Sequence, residues 1–338
     1  MTRTEFAVLG GGAWGLALAK LLTENNHCVR VWEFNREYAE RLQSTHANPD
    51  LLKGIVLPEN ISFSNSLEDV LTSETEHIIF ATPSQFLRQT VRKTAPLLSK
   101  LPALKSIVNV AKGIEENTMQ RMSEVLTAEL PPALHGKIVC LSGPSHAEEV
   151  ARQIPTAVVV AGKDDELLQT LQILLSNAYF RVYRSSDLIG VEVGGAVKNI
   201  IAIAAGIIDG IGYGDNTKGA LLTRGIVEIQ RLGIVMGALP ETFYGLSGLG
   251  DLVTTAISQH SRNRHVGFEI GKGRLLPEIL SDMKAVAEGV ATTRSVHELS
   301  HKLQVEMPIT DQIHAVLFES KSPRQAIVDL MTRSPKSE

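Results

Sequence analysis

Short apolar runs alternate with stretches of helical periodicity along the first half of the chain. This alternation predicts βαβ units and a mainly parallel sheet. The predicted strands are Phe6–Leu9, Val29–Glu33, His77–Ala81, Ser106–Val110, Ile138–Ser142, Thr156–Ala161 and one near Phe180–Tyr183. The predicted helices are Trp14–Leu22, Arg36–Ser44, Gln85–Leu98 and Asp165–Leu175, with a capped helix start at Ser66–Asp69.

After about Leu188 the helical repeat continues without a convincing strand. The predicted helices there are Val193–Ile208, Lys218–Leu232, Ser261–Gly271, Thr292–Lys302 and Ile309–Phe318. We therefore predict an α/β domain over residues 1–189 and an all-α domain over residues 190–338.

One apolar stretch, Val193–Ile211, approaches the length of a membrane span. It contains Lys198, Asn199 and Asp209, whose polar groups would be costly in lipid. We therefore predict a buried core helix and no membrane span.

Charge and cysteine content narrow the class of protein further. The formal net charge is −4 and there is no long basic run, which argues against a nucleic-acid partner. Two cysteines, Cys28 and Cys140, form no CxxC pair, and no Cys/His group has metal-ligand spacing, so no metal site is expected. A strand at the start of the chain leaves no room for a signal peptide, and we expect a cytoplasmic protein.

A glycine-rich turn joins the first strand to the first helix. Gly10, Gly12 and Gly15 give the pattern G-x-G-x-x-G, with Ala13 and Trp14 between the last two. In this context the glycines permit a tight turn, close approach of a pyrophosphate and close helix packing. The first domain is therefore predicted to be a Rossmann-type, doubly wound sheet that binds a dinucleotide.

The end of the second strand bears on the choice between NAD and NADP. Glu33 is placed to accept hydrogen bonds from an adenosine ribose, which favours NAD. Arg36 leaves NADP open, although it is equally well explained as a solvated residue at a helix start.

Two further loops follow predicted strands, where ligands bind in open α/β sheets. Lys112 follows the strand ending at Val110, and Gly143-Pro144-Ser145 follows the strand ending at Ser142. A solvent-facing lysine and an ordinary serine-capped turn are the plain alternatives. His146 has no evident partner and is not expected to be catalytic.

Lys198 is the strongest catalytic candidate because it lies inside an apolar helix. On a helical repeat its neighbours are Gly194, Gly195, Ile201 and Ala202, which leave room beside the amine. Desolvation and a second cation such as Lys112 would lower the pKa of this lysine and make it a usable proton donor. A lysine that extends to the surface is the alternative.

Two motifs of the second half suggest partners for this lysine and for an anion. Asp251 follows the Gly-rich turn Gly248–Gly250 and needs a cation, which Lys198 or Lys112 would supply; a helix cap is the alternative. Ser261, Arg262 and Asn263 open a helix, an arrangement suited to a phosphate, although a solvated basic turn would look the same.

Taken together, these stretches resemble the bacterial NAD(P)-dependent glycerol-3-phosphate dehydrogenase family. The similar segments are Gly10–Gly15, Val110–Gly113, Ser142–Ala147, Gly194–Gly210, Gly214–Ala220, Gly245–Thr255, Ser261–Asn263 and Glu288–Val290. They occur in order over almost the whole chain, which makes the resemblance specific.

The resemblance implies a helical domain after the Rossmann domain, with the active site between them. It implies reduction of dihydroxyacetone phosphate to sn-glycerol 3-phosphate for phospholipid synthesis, with NAD or NADP as cofactor and a homodimer as the assembly. The implied catalytic residues are Lys198, Lys112 and Asp251. The implied substrate-binding residues are Lys112, Gly143, Ser145, Lys198, Asn199, Asp251, Ser261, Arg262 and Asn263. The implied nucleotide-binding residues are Gly10, Gly12, Ala13, Trp14, Gly15, Phe34, Lys112, Ala147, Arg262, Val286 and Glu288.

The chain departs from the family pattern at two places. His146 stands where Phe is common, and Glu33-Phe34 replaces a small-plus-basic pair common in NADP-using members. Two other functions fit parts of the pattern: a related dehydrogenase acting on a hydroxy acid or acyl thioester, and a dinucleotide-sensing regulator. The first gives no reason for Arg262 beside Asn263, and the second does not explain a buried Lys198.

Overall fold

A computed structural model describes residues 3–283, 285–335 and 337 of the chain. The described residues form two compact units. The first runs up to Lys112 and continues over Arg121–Val191, and the second combines Gly113–Gln120 with the chain from Glu192 onward. The predicted fold class, a Rossmann-type sheet followed by helices, is confirmed.

The first unit is built on an eight-stranded sheet. Its strands are β1 Glu5–Leu9, β2 Cys28–Trp32, β3 Ile61–Ser64, β4 His77–Phe80, β5 Ser106–Asn109, β6 Ile138–Ser142, β7 Thr156–Ala161 and β8 Phe180–Ser185. Their order is β3-β2-β1-β4-β5-β6-β7-β8, which begins with the 3-2-1-4-5-6 order of Rossmann sheets. All neighbouring pairs are parallel except β6 and β7.

Helices cover both faces of this sheet. They are α1 Ala13–Glu24, α2 Arg36–Thr45, α3 Leu67–Val70, α4 Ser84–Leu98, α5 Met122–Glu129, α6 Ala147–Ala151 and α7 Asp165–Leu175, with a 3-10 turn at Pro132–Lys137. Phe6 and Val8 of β1 face one buried layer and Ala7 and Leu9 face the other, as the alternation of a strand requires. Both faces are buried, which explains why the central strands read as continuous apolar runs.

Strand β3 was not predicted, and its position explains why. It is an edge strand of four residues, in which buried Ile61 and Phe63 alternate with polar Ser62 and Ser64. Such a short alternating run has too few apolar residues to stand out from a loop. The capped helix start at Ser66 is confirmed, because its hydroxyl accepts from the backbone N–H of Asp69.

In the second unit, the described residues from Glu192 onward form helices and no strand. Its helices are α8 Leu188–Ile211, α9 Asp215–Val235, α10 Asp251–Ile257, α11 Arg262–Gly271, α12 Leu276–Asp282, α13 Glu288–Lys302, α14 Pro308–Phe318 and α15 Pro323–Met331. A 3-10 turn at Pro240–Tyr244 and a π-helical turn at Leu246–Gly250 lead into α10. The first four residues of α8 belong to the first unit.

Helix α8 is long and apolar enough to cross a membrane, but its most apolar window is entirely buried within the protein. It is therefore a core helix, as predicted. A Cβ on Gly206 would lie 2.0 Å from the carbonyl oxygen of Arg264, and one on Gly267 would lie 1.9 Å from that of Ile203. Only glycine allows the backbones of α8 and α11 to approach this closely.

The segment Gly113–Gln120 is anchored to α13 by side-chain contacts. The hydroxyl of Ser295 donates to the carbonyl of Ile114 at 3.0 Å, and the guanidinium of Arg294 pairs with Glu116 at 2.8 Å. Nothing in the repeat of apolar residues signals that this segment groups with the helical unit.

Candidate active site

The glycine-rich turn has the geometry that a dinucleotide requires. Gly10 has φ +128°, and a Cβ there would lie 2.7 Å from the carbonyl oxygen of Ala81. A Cβ on Gly15 would lie 2.0 Å from the carbonyl oxygen of Gly10, so α1 packs directly on the turn. Gly12 precedes α1 and faces open space, which leaves the helix N-terminus accessible to a phosphate.

Two unsatisfied hydroxyls mark the same edge of the sheet. Thr82 follows β4 and Ser142 ends β6, and each side-chain oxygen is buried without a hydrogen-bond partner in the described part of the chain. Buried polar atoms usually have a partner. The turn and these two hydroxyls therefore fit a bound nicotinamide dinucleotide.

Glu33 is hydrogen-bonded to the backbone of the glycine-rich turn. Its carboxylate accepts from the backbone N–H of Gly11 and of Asn35, both at 3.0 Å. Burial raises the pKa of Glu33, while backbone N–H groups act in the opposite direction. Both oxygens are thus engaged with the protein backbone, and a ribose would have to use the remaining acceptor positions of the carboxylate.

The other expected nucleotide residues of the first unit lie at element ends. Trp14 is half-buried against the core in the first turn of α1, and Ala147 is the first residue of α6. Phe34, directly after β2 and Glu33, is 75% exposed. An aromatic ring this exposed at the edge of a Rossmann sheet is available to a flat ligand.

Lys112 and the Gly143 turn meet, as their positions after β5 and β6 suggest. The Lys112 ammonium donates to the carbonyl of Gly143 at 2.8 Å. The hydroxyl of Ser145 donates to the same carbonyl at 2.8 Å. The carbonyl of Gly143 thus positions both a cation and a hydroxyl at the edge of the first unit.

In the second unit, Lys198 is buried and paired. It is 5% exposed, and its Nζ lies 2.9 Å from Oδ1 of Asp251 and 2.5 Å from Oγ1 of Thr255. Thr255 also donates to Oδ1 of Asp251 at 3.2 Å. Asp251 is therefore paired with Lys198, one of the two cations that the sequence offered to it.

Local sequence explains how this triad forms. A Cβ on Gly194, one turn before Lys198, would lie 2.7 Å from the carbonyl oxygen of Ser247. Glycine therefore lets the turn before α10 pack against α8. Thr255, one turn after Asp251, was not assigned a role from the sequence, and its i+4 spacing from the acid was the available signal.

Asn199 and Asn263 form a second buried network. The Asn263 side chain donates to Oδ1 of Asn199 at 2.8 Å and accepts from the backbone N–H of Gly289 at 2.9 Å. The network therefore ties α8, α11 and α13 together. The Asn263 amide therefore makes hydrogen bonds within the protein, whereas the sequence analysis expected it to contact the substrate.

The start of α11 carries the predicted cap and the predicted cation. The Ser261 hydroxyl accepts from the backbone N–H of Arg264 at 3.1 Å, as a capping residue does. Arg262 is exposed and donates to the carbonyl of Val286 at 2.9 Å. Val286 precedes α13, whose first residue is Glu288. The structure thus brings Arg262 and Val286 together.

The comparisons with known proteins decide the family. A model of the NAD-dependent glycerol-3-phosphate dehydrogenase N-terminus matches residues 5–168, and a model of the same family's C-terminus matches residues 187–328. The chain belongs to the NAD-dependent glycerol-3-phosphate dehydrogenase family. Its glycine-rich turn and the Lys198 triad lie in the N-terminal and C-terminal family regions, respectively.

Relatives and solved structures agree with membership of this family. The chain is 50% identical over 335 residues to glycerol-3-phosphate dehydrogenase [NAD(P)+] of Chlorobium luteolum, covering 99% of each sequence. It is 48% identical over 334 residues to the protein of that name from Syntrophotalea carbinolica, again covering 99% of each. A crystal structure of glycerol-3-phosphate dehydrogenase from Coxiella burnetii is 36% identical with a TM-score of 0.91, over 98% of this chain and 99% of that one.

Membership of the glycerol-3-phosphate dehydrogenase family confirms three predictions made from the sequence. These are the family, the class of NAD(P)-dependent oxidoreductase, and NAD or NADP as the cofactor. It also favours an enzyme over a dinucleotide-sensing regulator. The individual site residues stay predictions.

Proposed function

We propose that this chain interconverts dihydroxyacetone phosphate and sn-glycerol 3-phosphate, with Lys198 as the group that gives and takes the proton. The observation that carries the proposal is the buried contact of Lys198 with Asp251 and Thr255 in a chain of this family. An ammonium out of water is a costly feature that a merely structural helix would not need.

Bound nicotinamide supplies or accepts the hydride, and the protein supplies binding, orientation and proton transfer. Lys198 protonates the alkoxide oxygen that develops on the ketone, and in reverse it takes that proton back. Asp251 and Thr255 fix the position of the amine, and Asp251 is its counter-ion. A positive charge held in a preorganised site stabilises a developing alkoxide more than a mobile charge does.

The substrate phosphate is assigned to the start of α11. Arg262 supplies charge, and the backbone N–H groups of the first turn point toward an anion. Ser261, Asn263 and Asn199 shape this end of the helix through their own hydrogen bonds. Lys112, Gly143 and Ser145 are assigned to the substrate from the first unit.

The nucleotide is assigned to the glycine-rich turn and nearby side chains. The residues are Gly10, Gly12, Ala13, Trp14, Gly15, Phe34, Lys112, Ala147, Arg262, Val286 and Glu288. Glu33 keeps acceptor positions for a ribose beside its two backbone contacts, which still favours NAD. Arg36 is exposed and pairs with Glu40 at 2.8 Å, so a 2′-phosphate would have to compete with that acid.

The deciding assay follows the loss of reduced nicotinamide absorbance with dihydroxyacetone phosphate, in parallel reactions with NADH and NADPH. Turnover with at least one cofactor, and formation of glycerol 3-phosphate, supports the proposal. A panel of 2-keto acids and acyl thioesters serves as the matched comparison. Turnover of one of these, with none on the phosphorylated ketone, overturns it.

The assembly is proposed to be a homodimer. Large apolar side chains are exposed at the end of α9 and in the turn that follows, namely Ile234, Val235, Leu239 and Tyr244. A patch of this kind supports contact with a second copy, because cyclic dimers are the most common assemblies of soluble chains. Analytical ultracentrifugation that finds only single chains at micromolar concentration contradicts the dimer.

The proposed location is the cytoplasm, and the proposed role is the supply of glycerol 3-phosphate for phospholipid synthesis. Neither Cys28 nor Cys140 is part of a disulfide, which suits a reducing compartment. Fractionation of cells that produce the chain tests the location. Loss of glycerophospholipid synthesis on depletion, restored by added glycerol 3-phosphate, tests the role.

A further inference from the structure

Three side chains with metal-binding chemistry converge on the surface of the helical unit, and none of them is assigned to catalysis. His297 and His301 lie one turn apart on α13, and Asp311 lies in the first turn of α14. Their Nε2, Nε2 and carboxylate oxygen atoms all lie within 4.8 Å of one another. The sequence analysis expected no metal site and overlooked the i,i+4 spacing of His297 and His301; α14 brings Asp311 beside this pair.

The distances within this cluster match those around a small metal ion. The two Nε2 atoms are 3.2 Å apart, and Oδ1 of Asp311 lies 3.7 Å from that of His297 and 3.5 Å from that of His301. Zinc binds such atoms at about 2.0–2.1 Å, so tetrahedral geometry separates neighbouring ligand atoms by about 3.3–3.4 Å. The three atoms therefore need to move only a few tenths of an ångström to share an ion.

We propose that His297, His301 and Asp311 form a site for one transition-metal dication such as Zn²⁺, with the fourth position left to water. Two imidazoles and one carboxylate suit Zn²⁺, Ni²⁺ or Cu²⁺. Mg²⁺ and Ca²⁺ prefer a shell made of oxygen atoms, which this cluster does not provide.

An unsatisfied oxygen within the cluster supports a metal. Oδ1 of Asp311 is inaccessible to solvent and accepts no hydrogen bond within the described part of the chain. A buried carboxylate oxygen without a donor is costly, and a cation at this position would remove that cost.

A third histidine holds one ligand in place. The ring of His314 stacks on that of His297 with centroids 3.8 Å apart and planes 8° apart. Nδ1 of His314 lies 3.0 Å from Oε1 of Glu319. This stacking restricts the orientation of the His297 ring.

The position of the proposed ion indicates which helices it would stabilise. It would connect the last turns of α13 to the first turn of α14. The opposite end of α13 carries Gly289, which donates to Asn263. Bound metal is therefore expected to stabilise the packing of the helix that supports the Asn199–Asn263 network.

The test is a titration of the full chain with Zn²⁺ in competition with a chromophoric chelator, and with Co²⁺ followed by visible absorption. We expect one equivalent of Zn²⁺, and for Co²⁺ the intense bands of a four-coordinate ion. His301→Ala and Asp311→Asn should each weaken Zn²⁺ binding at least tenfold. The matched control is His265→Ala, which removes an exposed histidine from α11 and should leave binding unchanged.

Thermal unfolding separates a lost site from a lost fold. The side chain of His301 is 64% exposed, so His301→Ala should unfold at the wild-type temperature when a chelator is present. Zn²⁺ should then raise the Tm of the wild type and not of His301→Ala. The proposal is overturned if both proteins bind Zn²⁺ equally, or if the wild type takes up none at a large molar excess.

Discussion

The Nζ of Lys198 lies 2.9 Å from Oδ1 of Asp251, and the two residues are 5% and 1% exposed. Removing one partner from such a buried pair leaves the other charge without compensation. The pair therefore links the folding stability of the helical unit to the proton transfer proposed for Lys198.

The catalytic side of this link is tested by Lys198→Ala. Loss of a general acid should lower kcat by ~10² or more, because protonation of the alkoxide then depends on water. Binding of NADH, measured by fluorescence titration, should change little because the nucleotide is assigned to other residues. Unchanged turnover in this variant would remove Lys198 from the mechanism.

The structural side is tested by Asp251→Asn. The isolated ammonium should reduce the free energy of unfolding by about 3–5 kcal/mol. The double variant Lys198→Met/Asp251→Asn removes the uncompensated charge and should recover part of that loss. Urea denaturation of Lys198→Met, Asp251→Asn and the double variant measures the coupling. Strictly additive changes would show that the contact contributes no coupling energy.

The role of Arg262 is tested by Arg262→Ala. Because its charge is assigned to the substrate phosphate, the KM for dihydroxyacetone phosphate should rise at least tenfold, with a smaller change in kcat. Arg181→Ala, which removes an exposed cation on β8, is the control and should leave KM unchanged. Steady-state kinetics with the same KM in all three proteins would contradict the assignment.

The close contact of α8 and α11 is tested by Gly267→Ala. Its new Cβ would lie 1.9 Å from the carbonyl oxygen of Ile203, so the helices must separate. We expect a loss of about 2–3 kcal/mol or more in the free energy of unfolding. Gly219 lies within α9 and has open space around it, so Gly219→Ala should instead stabilise the chain by about 0.5–1 kcal/mol. Equal effects of the two substitutions would show that helix propensity alone matters.

The pH dependence of stability is expected to include a term from His77. Burial lowers the pKa of His77 to about 4, while its Nδ1 lies 2.7 Å from the Ser106 hydroxyl. The folded pKa is below the unfolded value of about 6.5, so the stabilisation is fully present above pH 6.5 and is lost as the pH falls toward 4. The wild type should lose about 3 kcal/mol more than His77→Gln over this range. Parallel curves of unfolding free energy against pH would contradict the assignment.

The strands and helices that could be identified from the sequence are those with many apolar residues. Strands β6 and β7 were predicted with the bounds that the structure has, because continuous apolar runs mark strands inside a sheet that is covered on both faces. Strand β3 and α12 escaped prediction because they are short and have few apolar residues.

A contact between two side chains could be predicted where a buried charge requires a partner, and not where helix packing determines the partner. A lysine inside an apolar helix and an acid after a glycine turn need each other, so the pairing of Lys198 and Asp251 was predictable. The bond between Asn263 and Asn199 depends on how α8 and α11 cross, which no local pattern encodes. The sequence around Glu33 likewise does not indicate that its carboxylate accepts hydrogen bonds from backbone N–H groups.

The grouping of Gly113–Gln120 with the helices has a practical consequence for dissecting the protein. A fragment starting at Glu192 would lack the carbonyl that receives the Ser295 hydroxyl and the acid that pairs with Arg294. Such a truncation would expose part of α13, so expression of the C-terminal half by itself should yield an incomplete core. A separable helical body would need the eight-residue insert supplied as well, by fusion or as a peptide added in trans.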